Sequence, residues 1–151
     1  MRGFLVDSNV WLAIAFDRHA SHEAALQWIG TATPECPACF CRATEQSVLR
    51  LLSTPPIQAL YDSPVITNQG AIQLLNEWQS QPNVACVDEP NGTRDLWLHL
   101  ANRNTASPKL WMDAYLAACA ISGELQFTTH DKAFGQFVPD GLDLHLLPFE
   151  I

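Results

Sequence analysis

Two aspartates follow apolar runs that are typical of buried strands. Asp7 comes directly after residues 4–6, and Asp131 comes just past residues 125–128. In a parallel α/β sheet, ligands bind beyond the carboxyl ends of the strands, so both side chains are candidates for a site there. Each aspartate could instead cap the helix that follows it, since Asp is among the preferred N-cap residues. For either aspartate alone, a role as helix cap and a role in a binding site are equally good interpretations.

Two more carboxylates lie within predicted helices. Glu45 shares a helical face with Val48 and Leu52, because residues three, four and seven positions apart lie on one side of a helix. Asp113 stands in an apolar stretch of another helix, beyond the first turn where Asp is favoured. A carboxylate on a core-directed face is costly unless a positive charge or a metal ion compensates it.

Each helical carboxylate has a basic residue near it in the sequence. Arg42 precedes Glu45 by three positions, and Lys109 precedes Asp113 by four. Local ion pairs are therefore an alternative to a shared site, although a basic residue placed before an acidic one is the weaker order for such a pair.

If the helices pack over the strand ends, then Asp7, Glu45, Asp113 and Asp131 converge on one cleft. Four ionised carboxylates share a small site only when cations compensate them. Oxygen-ligated Mg²⁺ or Mn²⁺ suits this set, because no imidazole or thiolate cluster accompanies it. Such an ion activates water and stabilises the leaving oxygen in phosphodiester hydrolysis. The residues themselves thus predict a metal-dependent phosphodiesterase.

The elements that must position these residues alternate between strands and helices. Strands are predicted at 4–6, 36–40, 84–87, 125–128 and 142–147. Helices are predicted at 9–16 after a Ser8 cap, around 24–29, from 42 to the proline pair at 55–56, from 68, around 96–100, from 108 to 122, and at 131–137. Residues 53–67 are predicted as an irregular excursion. This alternation indicates an α/β fold in one domain over residues 1–151, with a mainly parallel sheet of about four to five strands and helices on both faces.

Composition excludes several classes of protein. The chain has 151 residues, of which 48% are apolar and 16% charged, so an intrinsically disordered chain is excluded. A net charge of -8 disfavours a basic nucleic-acid-binding module. The apolar run at 10–16 is too short to span a bilayer and has no signal-peptide flanks, which predicts no membrane association. An odd count of five cysteines suits reduced thiols, and the predicted location is cytoplasmic.

Two competing sites fit the sequence less well. Cys36, Cys39 and Cys41 invite a zinc site, but four ligands are needed and no second pair follows at the right spacing. An aspartate-nucleophile phosphatase would need a second Asp two residues after Asp7, where this chain has Asn9.

Four segments carry a family resemblance over essentially the whole chain. They are FLVDSNVWL at 4–12, RATEQSVL at 42–49, KLWMDAYLAA at 109–118 and FTTHDKAF at 127–134. With these segments the chain resembles the PIN-domain ribonucleases, and in particular the VapC-type toxins of bacterial toxin–antitoxin systems. The resemblance implies a three-layer PIN-like fold.

The resemblance also implies an activity and a set of site residues. The family's metal-binding carboxylates fall on Asp7, Glu45, Asp113 and Asp131, and its supporting polar positions fall on Asn9 and Thr129. The implied activity is Mg²⁺- or Mn²⁺-dependent endonucleolytic cleavage of RNA by metal-activated water. The implied partners are a cognate antitoxin and a second copy of the chain. The alternative is a catalytically degenerate PIN-like domain that only binds protein or RNA.

Basic residues near the four segments are candidates for phosphate contacts because of their proximity in sequence. Arg42 and Lys109 are the substrate-binding candidates carried forward from a wider set that also contains Arg18, Arg50 and Lys132.

Overall fold

A parallel five-stranded sheet forms the centre of the molecule. The structure is a computed structural model that describes residues 2–148. The strands are β1 (Phe4–Val6), β2 (Ala38–Phe40), β3 (Val84–Cys86), β4 (Gln126–Thr129) and β5 (Leu144–Leu146), in the spatial order β3-β2-β1-β4-β5. Every neighbouring pair is parallel, and Leu5 of β1 lies between Cys39 and Phe127. The predicted sheet is confirmed, and β1 is its central strand.

Helices cover both faces of this sheet. They are α1 (Ser8–Ala15), α2 (His22–Ile29), α3 (Arg42–Leu52), α4 (Pro55–Leu60), α5 (Asn68–Gln79), α6 (Thr93–Ala101), α7 (Pro108–Ser122) and a 3₁₀ helix (Lys132–Asp140). Because successive strand residues point to opposite faces, Leu5 packs with α6, α7 and the 3₁₀ helix, whereas Val6 packs with α1, α2, α3 and α5. The predicted three-layer α/β fold is confirmed.

Some element boundaries differ from the sequence-based expectations. The cap of α1 is Asp7 rather than Ser8, since Asp7 Oδ1 accepts a hydrogen bond from the Ser8 N–H at 2.8 Å. The predicted strand at 36–40 begins at residue 38, and α6 begins at residue 93. Residues 53–67 are not wholly irregular, because Pro55 and Pro56 open α4. Proline loses no hydrogen bond at the first positions of a helix, so the pair that ends α3 also begins the next helix.

A buried glutamine fixes the segment around α4. Gln58 Nε2 donates to the carbonyl oxygens of Leu52 and Ile66, at 2.7 and 2.9 Å. These bonds satisfy the carbonyl group at the end of α3 and that of Ile66, which lies outside regular structure, and they hold the segment against α3. None of the helices within residues 2–148 is long and apolar enough to cross a membrane.

The core beneath α1 depends on Trp11. Its ring is fully buried and stacks on Phe40, with 4.1 Å between ring centroids and 11° between planes, and Trp78 lies 5.1 Å away. We expect Trp11→Ala to lower the free energy of unfolding by about 3–5 kcal/mol, because it removes the contacts and leaves a cavity. Urea unfolding followed by circular dichroism measures this. Leu60→Ala, at a side chain that is 73% exposed, is the control and should change stability by less than about 0.5 kcal/mol.

Candidate active site

The site lies at the carboxyl ends of the central strand β1 and its neighbour β4, and one threonine organises it. Thr129, the last residue of β4, is fully buried and donates from Oγ1 to Asp7 Oδ2 at 2.7 Å. The same oxygen accepts from Asn9 Nδ2 at 3.2 Å and from the Asp131 N–H at 3.0 Å. Asn9 Oδ1 in turn accepts from the His130 N–H at 3.3 Å. Of the two predicted supporting residues, Thr129 thus contacts both Asp7 and Asp131, and Asn9 joins this network through Thr129.

Asp7 and Asp131 each cap a helix with one carboxylate oxygen and leave the second oxygen for the site. Oδ1 of Asp7 binds the Ser8 N–H, and Oδ1 of Asp131 binds the Ala133 N–H at 2.9 Å. The second oxygen of Asp131 accepts from Lys109 Nζ at 3.1 Å. The cap and the site, which sequence spacing leaves as alternatives, therefore coexist at both residues.

Asp113 reaches the same place from α7. Its side chain is only 13% exposed, and Lys109, one turn earlier, lies 3.6 Å from it. Asp7, Asp113 and Asp131 line one cavity of about 330 Å³, which we call the acidic cleft. Its other lining residues come from α1, α3, α7 and the 3₁₀ helix: Ser8, Asn9, Ala43, Thr44, Ser47, Arg50, Leu51, Lys109, Met112, Leu116 and Phe134.

The carboxyl groups of the cleft differ in the direction in which their pKa values are shifted. Burial raises the pKa of Asp7, which its hydrogen bonds with Thr129 and Ser8 oppose and the charges of Asp113 and Asp131 reinforce. Burial also raises the pKa of Asp113, although Lys109 counteracts it. Burial would raise the pKa of Asp131 too, but the Ala133 N–H and Lys109 outweigh it, so that pKa is lowered. Ionisation of Asp7 and of Asp113 therefore lowers the stability of the folded protein.

Lys109 is the positive charge that compensates this cleft. Its hydrogen bond with Asp131 and the charge of Asp113 raise the pKa of its ammonium group. One lysine thus bridges two carboxylates that come from different elements. The sequence-based alternative of an ion pair between Lys109 and Asp113 is present, but it is part of the shared site rather than a substitute for it.

Glu45 does not line the acidic cleft, and the expected convergence of four carboxylates is met by three. Its oxygens contact Arg42 Nη1 at 3.2 Å and Gln79 Nε2, at the end of α5, at 2.9 Å. The physical reason is the rotation of α3. Thr44, Val48 and Leu52 form its buried stripe, and Glu45 lies about 100° round the helix from Thr44, just past the Leu52 side of that stripe and towards α5. The ligand role predicted for Glu45 stays a prediction.

Thr44 and Ser47 line the cleft in place of Glu45, and the sequence analysis missed both. They lie three positions apart and share a face of α3 with Leu51. That spacing could have pointed to them, but only with the rotation of α3 already known. Among the basic candidates, Lys109 and Arg50 line the cleft, whereas Arg42 lines a neighbouring groove and neither Arg18 nor Lys132 lines the cleft.

The donors of the cleft fit a hard divalent cation in type. Within residues 2–148, no three His, Cys, Asp or Glu side chains lie close enough together to hold a metal ion as they stand. Mg²⁺, however, usually takes only one or two carboxylates together with water and substrate phosphate oxygens. Asp7, Asp113 and Asp131 offer such carboxylate oxygens, and the position of Lys109 between two of them marks where positive charge is stabilised.

Comparison with known proteins gives the family. Residues 4–138 match the family model of the PIN domain. The chain belongs to the PIN domain family. It is 39% identical over 144 residues to Ribonuclease VapC41 of Mycobacterium tuberculosis, covering 95% of this chain and 97% of that protein.

Solved structures agree on the fold of this PIN domain protein. M. tuberculosis VapC20, described as a Sarcin-Ricin loop cleaving toxin, superposes with a TM-score of 0.62 at 16% identity, covering 97% of this chain and all of that one (100%). A chain of VapBC2 from Rickettsia felis, bound to a DNA fragment from their promoter, gives 0.61 at 12% identity, covering 96% of this chain and 98% of that one. At these identities the likeness concerns the fold.

The raised pKa of Asp113 predicts a pH-dependent stability. The folded state binds the Asp113 proton more tightly than the unfolded state does. The tighter proton binding stabilises the folded protein fully below the Asp113 pKa of the unfolded chain, which is about 4. This stabilisation is lost as the pH rises through the higher Asp113 pKa of the folded protein. At pH 7 the ionised carboxylate is therefore a net cost, and we expect Asp113→Asn to raise the melting temperature in EDTA, by a margin that shrinks towards pH 4.

Calorimetry from pH 7 to about 4 tests this. Asp95→Asn, at a side chain that is 93% exposed, is the control and should show no such trend. A lower melting temperature for Asp113→Asn at pH 7 would mean that its attraction to Lys109 outweighs its burial.

Proposed function

We propose that this PIN domain protein is the toxin of a toxin–antitoxin system and hydrolyses RNA phosphodiester bonds as a Mg²⁺- or Mn²⁺-dependent endoribonuclease. The observation that carries the proposal is the convergence of Asp7, Asp113 and Asp131 on one cleft at the carboxyl ends of the central strands. The 39% identity to a protein named a ribonuclease supports the same reaction class. The proposal includes a single domain over residues 1–151 and a cytoplasmic location.

Hydrogen bonds within the protein hold the carboxylates of the cleft in place. Thr129 donates to Asp7 and fixes that carboxylate, while Asn9 fixes Thr129. Asp131 is fixed by its cap, and α7 delivers Asp113. A divalent cation on these carboxylates would lower the pKa of a bound water and stabilise charge on the scissile phosphate. Lys109, now bound to Asp131 and Asp113, would be free to contact the RNA once a cation takes over its role.

The proposed partners are an antitoxin and a second copy of the chain. Similarity to the VapBC2 structure supports an antitoxin partner. A homodimer is supported by an exposed apolar surface beside the cleft, in which Trp111 is 54% and Met112 48% exposed. We call this surface, which also includes Trp97, Tyr115 and Arg42, the aromatic face. A contiguous exposed apolar patch is typical of an interaction site.

The proposed activity predicts loss of cleavage on removal of either the carboxylates or the metal. Asp7→Asn and Asp113→Asn should each lower the rate of RNA cleavage by about 100-fold or more, with the fold intact by circular dichroism. Excess EDTA should abolish cleavage, and added Mg²⁺ or Mn²⁺ should restore it. Cleavage that persists in EDTA would refute the metal mechanism. Absence of cleavage with either metal would favour a domain that only binds.

The Glu45→Gln variant tests the fourth predicted ligand in the same assay. A loss as large as that of Asp113→Asn would show that Glu45 breaks its contacts with Arg42 and Gln79 and binds the metal in the active state. We expect a loss of this size, because Glu45 is a predicted metal ligand. A loss of less than about tenfold, below the range typical even of residues that only orient a metal ligand, would contradict that role.

The proposed homodimer predicts a change of mass on mutation of the aromatic face. Trp111→Glu places a charge in the interface and should convert the dimer to a monomer in size-exclusion chromatography with light scattering. Val65→Glu is the control, because this side chain is 81% exposed and lies outside the aromatic face. A monomeric wild-type protein at all concentrations would contradict the dimer.

A further inference from the structure

Arg50 is the one basic residue lining the acidic cleft that is free to bind an anion, as far as residues 2–148 are concerned. Lys109 also lines the cleft, but it is bound to Asp131 and Asp113. Arg42 lies outside the cleft and is bound to Glu45. Within the same described residues, the guanidinium of Arg50 makes no ion pair with a carboxylate.

Its position on α3 directs Arg50 towards the substrate path. Thr44, Ser47 and Arg50 follow one another at intervals of three residues, and all three line the cleft. Burial decreases along this row, from a buried Thr44 through a partly buried Ser47 to an exposed Arg50. The row therefore leads from the floor of the cleft to its mouth, where a charged group stays hydrated and accessible.

Arg50 also lies where the cleft meets a second groove. It lines a shallow cavity of about 260 Å³ between α3 and the start of α5, with Leu49, Ser53, Asn68, Ala71 and Ile72. A bound strand that continues out of the cleft in this direction would pass the guanidinium. Arg50 lies six positions after Thr44 on α3, which is about 9 Å along the helix axis. Arg50 is thus displaced from the floor of the cleft and suited to a phosphate next to the scissile one.

We propose that Arg50 binds an RNA backbone phosphate adjacent to the scissile phosphate and so sets the path of the strand through the acidic cleft. This inference rests on the proposed ribonuclease function. Guanidinium offers two parallel hydrogen bonds to a phosphate, and in an acidic protein such a residue supplies local attraction that the net charge of -8 opposes elsewhere. Arg50 is a substrate-positioning residue and takes no part in the chemical step.

The proposal predicts a change in binding without a change in chemistry. In single-turnover cleavage of a single-stranded RNA with excess protein and Mg²⁺, Arg50→Gln should raise the half-saturating protein concentration about tenfold, the loss expected for one charge-assisted contact. The maximal rate should stay within about twofold, because Arg50 does not touch the reacting atoms. A fall in the maximal rate with unchanged half-saturation would overturn the assignment to a neighbouring phosphate.

Salt dependence gives a second readout that a structural role would not change. Binding of a fluorescein-labelled single-stranded RNA of randomised sequence is measured by anisotropy at rising KCl, with Ca²⁺ in place of Mg²⁺. Arg50→Gln should reduce the slope of log affinity against log salt by about 0.7, the value for one phosphate contact on a single strand. Arg50→Lys should keep that slope and lose part of the affinity, because it keeps the charge but not the paired hydrogen bonds.

Arg94→Gln is the matched control. It removes the same charge from an exposed position on α6 and should leave affinity and salt slope unchanged. An equal effect of both variants would reduce Arg50 to a contribution to net charge and overturn the proposal. Unchanged RNA affinity with weakened antitoxin binding would assign Arg50 to the antitoxin instead.

The two proposals fail in different ways. A wild-type protein that binds RNA through Arg50 but never cleaves it would refute the nuclease and leave the Arg50 contact standing. A wild-type protein that cleaves RNA with Arg50→Gln unaffected would refute only the Arg50 contact. A wild-type protein that does not bind RNA would refute both.

Discussion

The hydrogen bond from Thr129 to Asp7 is the interaction on which the site depends. It joins the carboxyl ends of the central strand β1 and its neighbour β4, and both residues are buried. The same hydroxyl accepts from Asn9 and from the Asp131 backbone, so one oxygen sets the positions of two carboxylates and one amide. A threonine supplies this with its single hydroxyl, which donates once and accepts twice.

Two aspartates of the site each cap a helix and also face the cleft. An N-cap satisfies a backbone N–H that the helix itself cannot, and it does so with one carboxylate oxygen. The second oxygen of Asp7 accepts a hydrogen bond from Thr129, and the second oxygen of Asp131 accepts one from Lys109. The start of each helix thus fixes the orientation of a carboxylate of the cleft.

Sequence reasoning succeeded where a residue's place along the chain determines its place in the fold. Asp7 and Asp131 follow buried strands, so the parallel sheet alone brings them together, and the helix predicted from 108 to 122 places Asp113 on α7. It failed where the rotation of a helix matters. Glu45 and Thr44 are neighbours, and only packing against the sheet and α5 decides which of them reaches the cleft. It also treated a proline pair as a stop, although the same pair begins α4.

The acidic charge of the chain bears on how such a site could select its substrate. A surface with excess negative charge repels RNA at most positions, so attraction is confined to the places where positive charge is not already neutralised. Lys109 is held by two carboxylates, and a divalent cation on those carboxylates would release it while reversing the sign of the cleft floor. Attraction at the floor would then depend on the metal, whereas Arg50 at the mouth remains positive in either state. On the proposed function, RNA binding and metal binding would therefore be coupled at the floor of the cleft and independent at its mouth, so metal removal should weaken RNA binding without removing the contribution of Arg50.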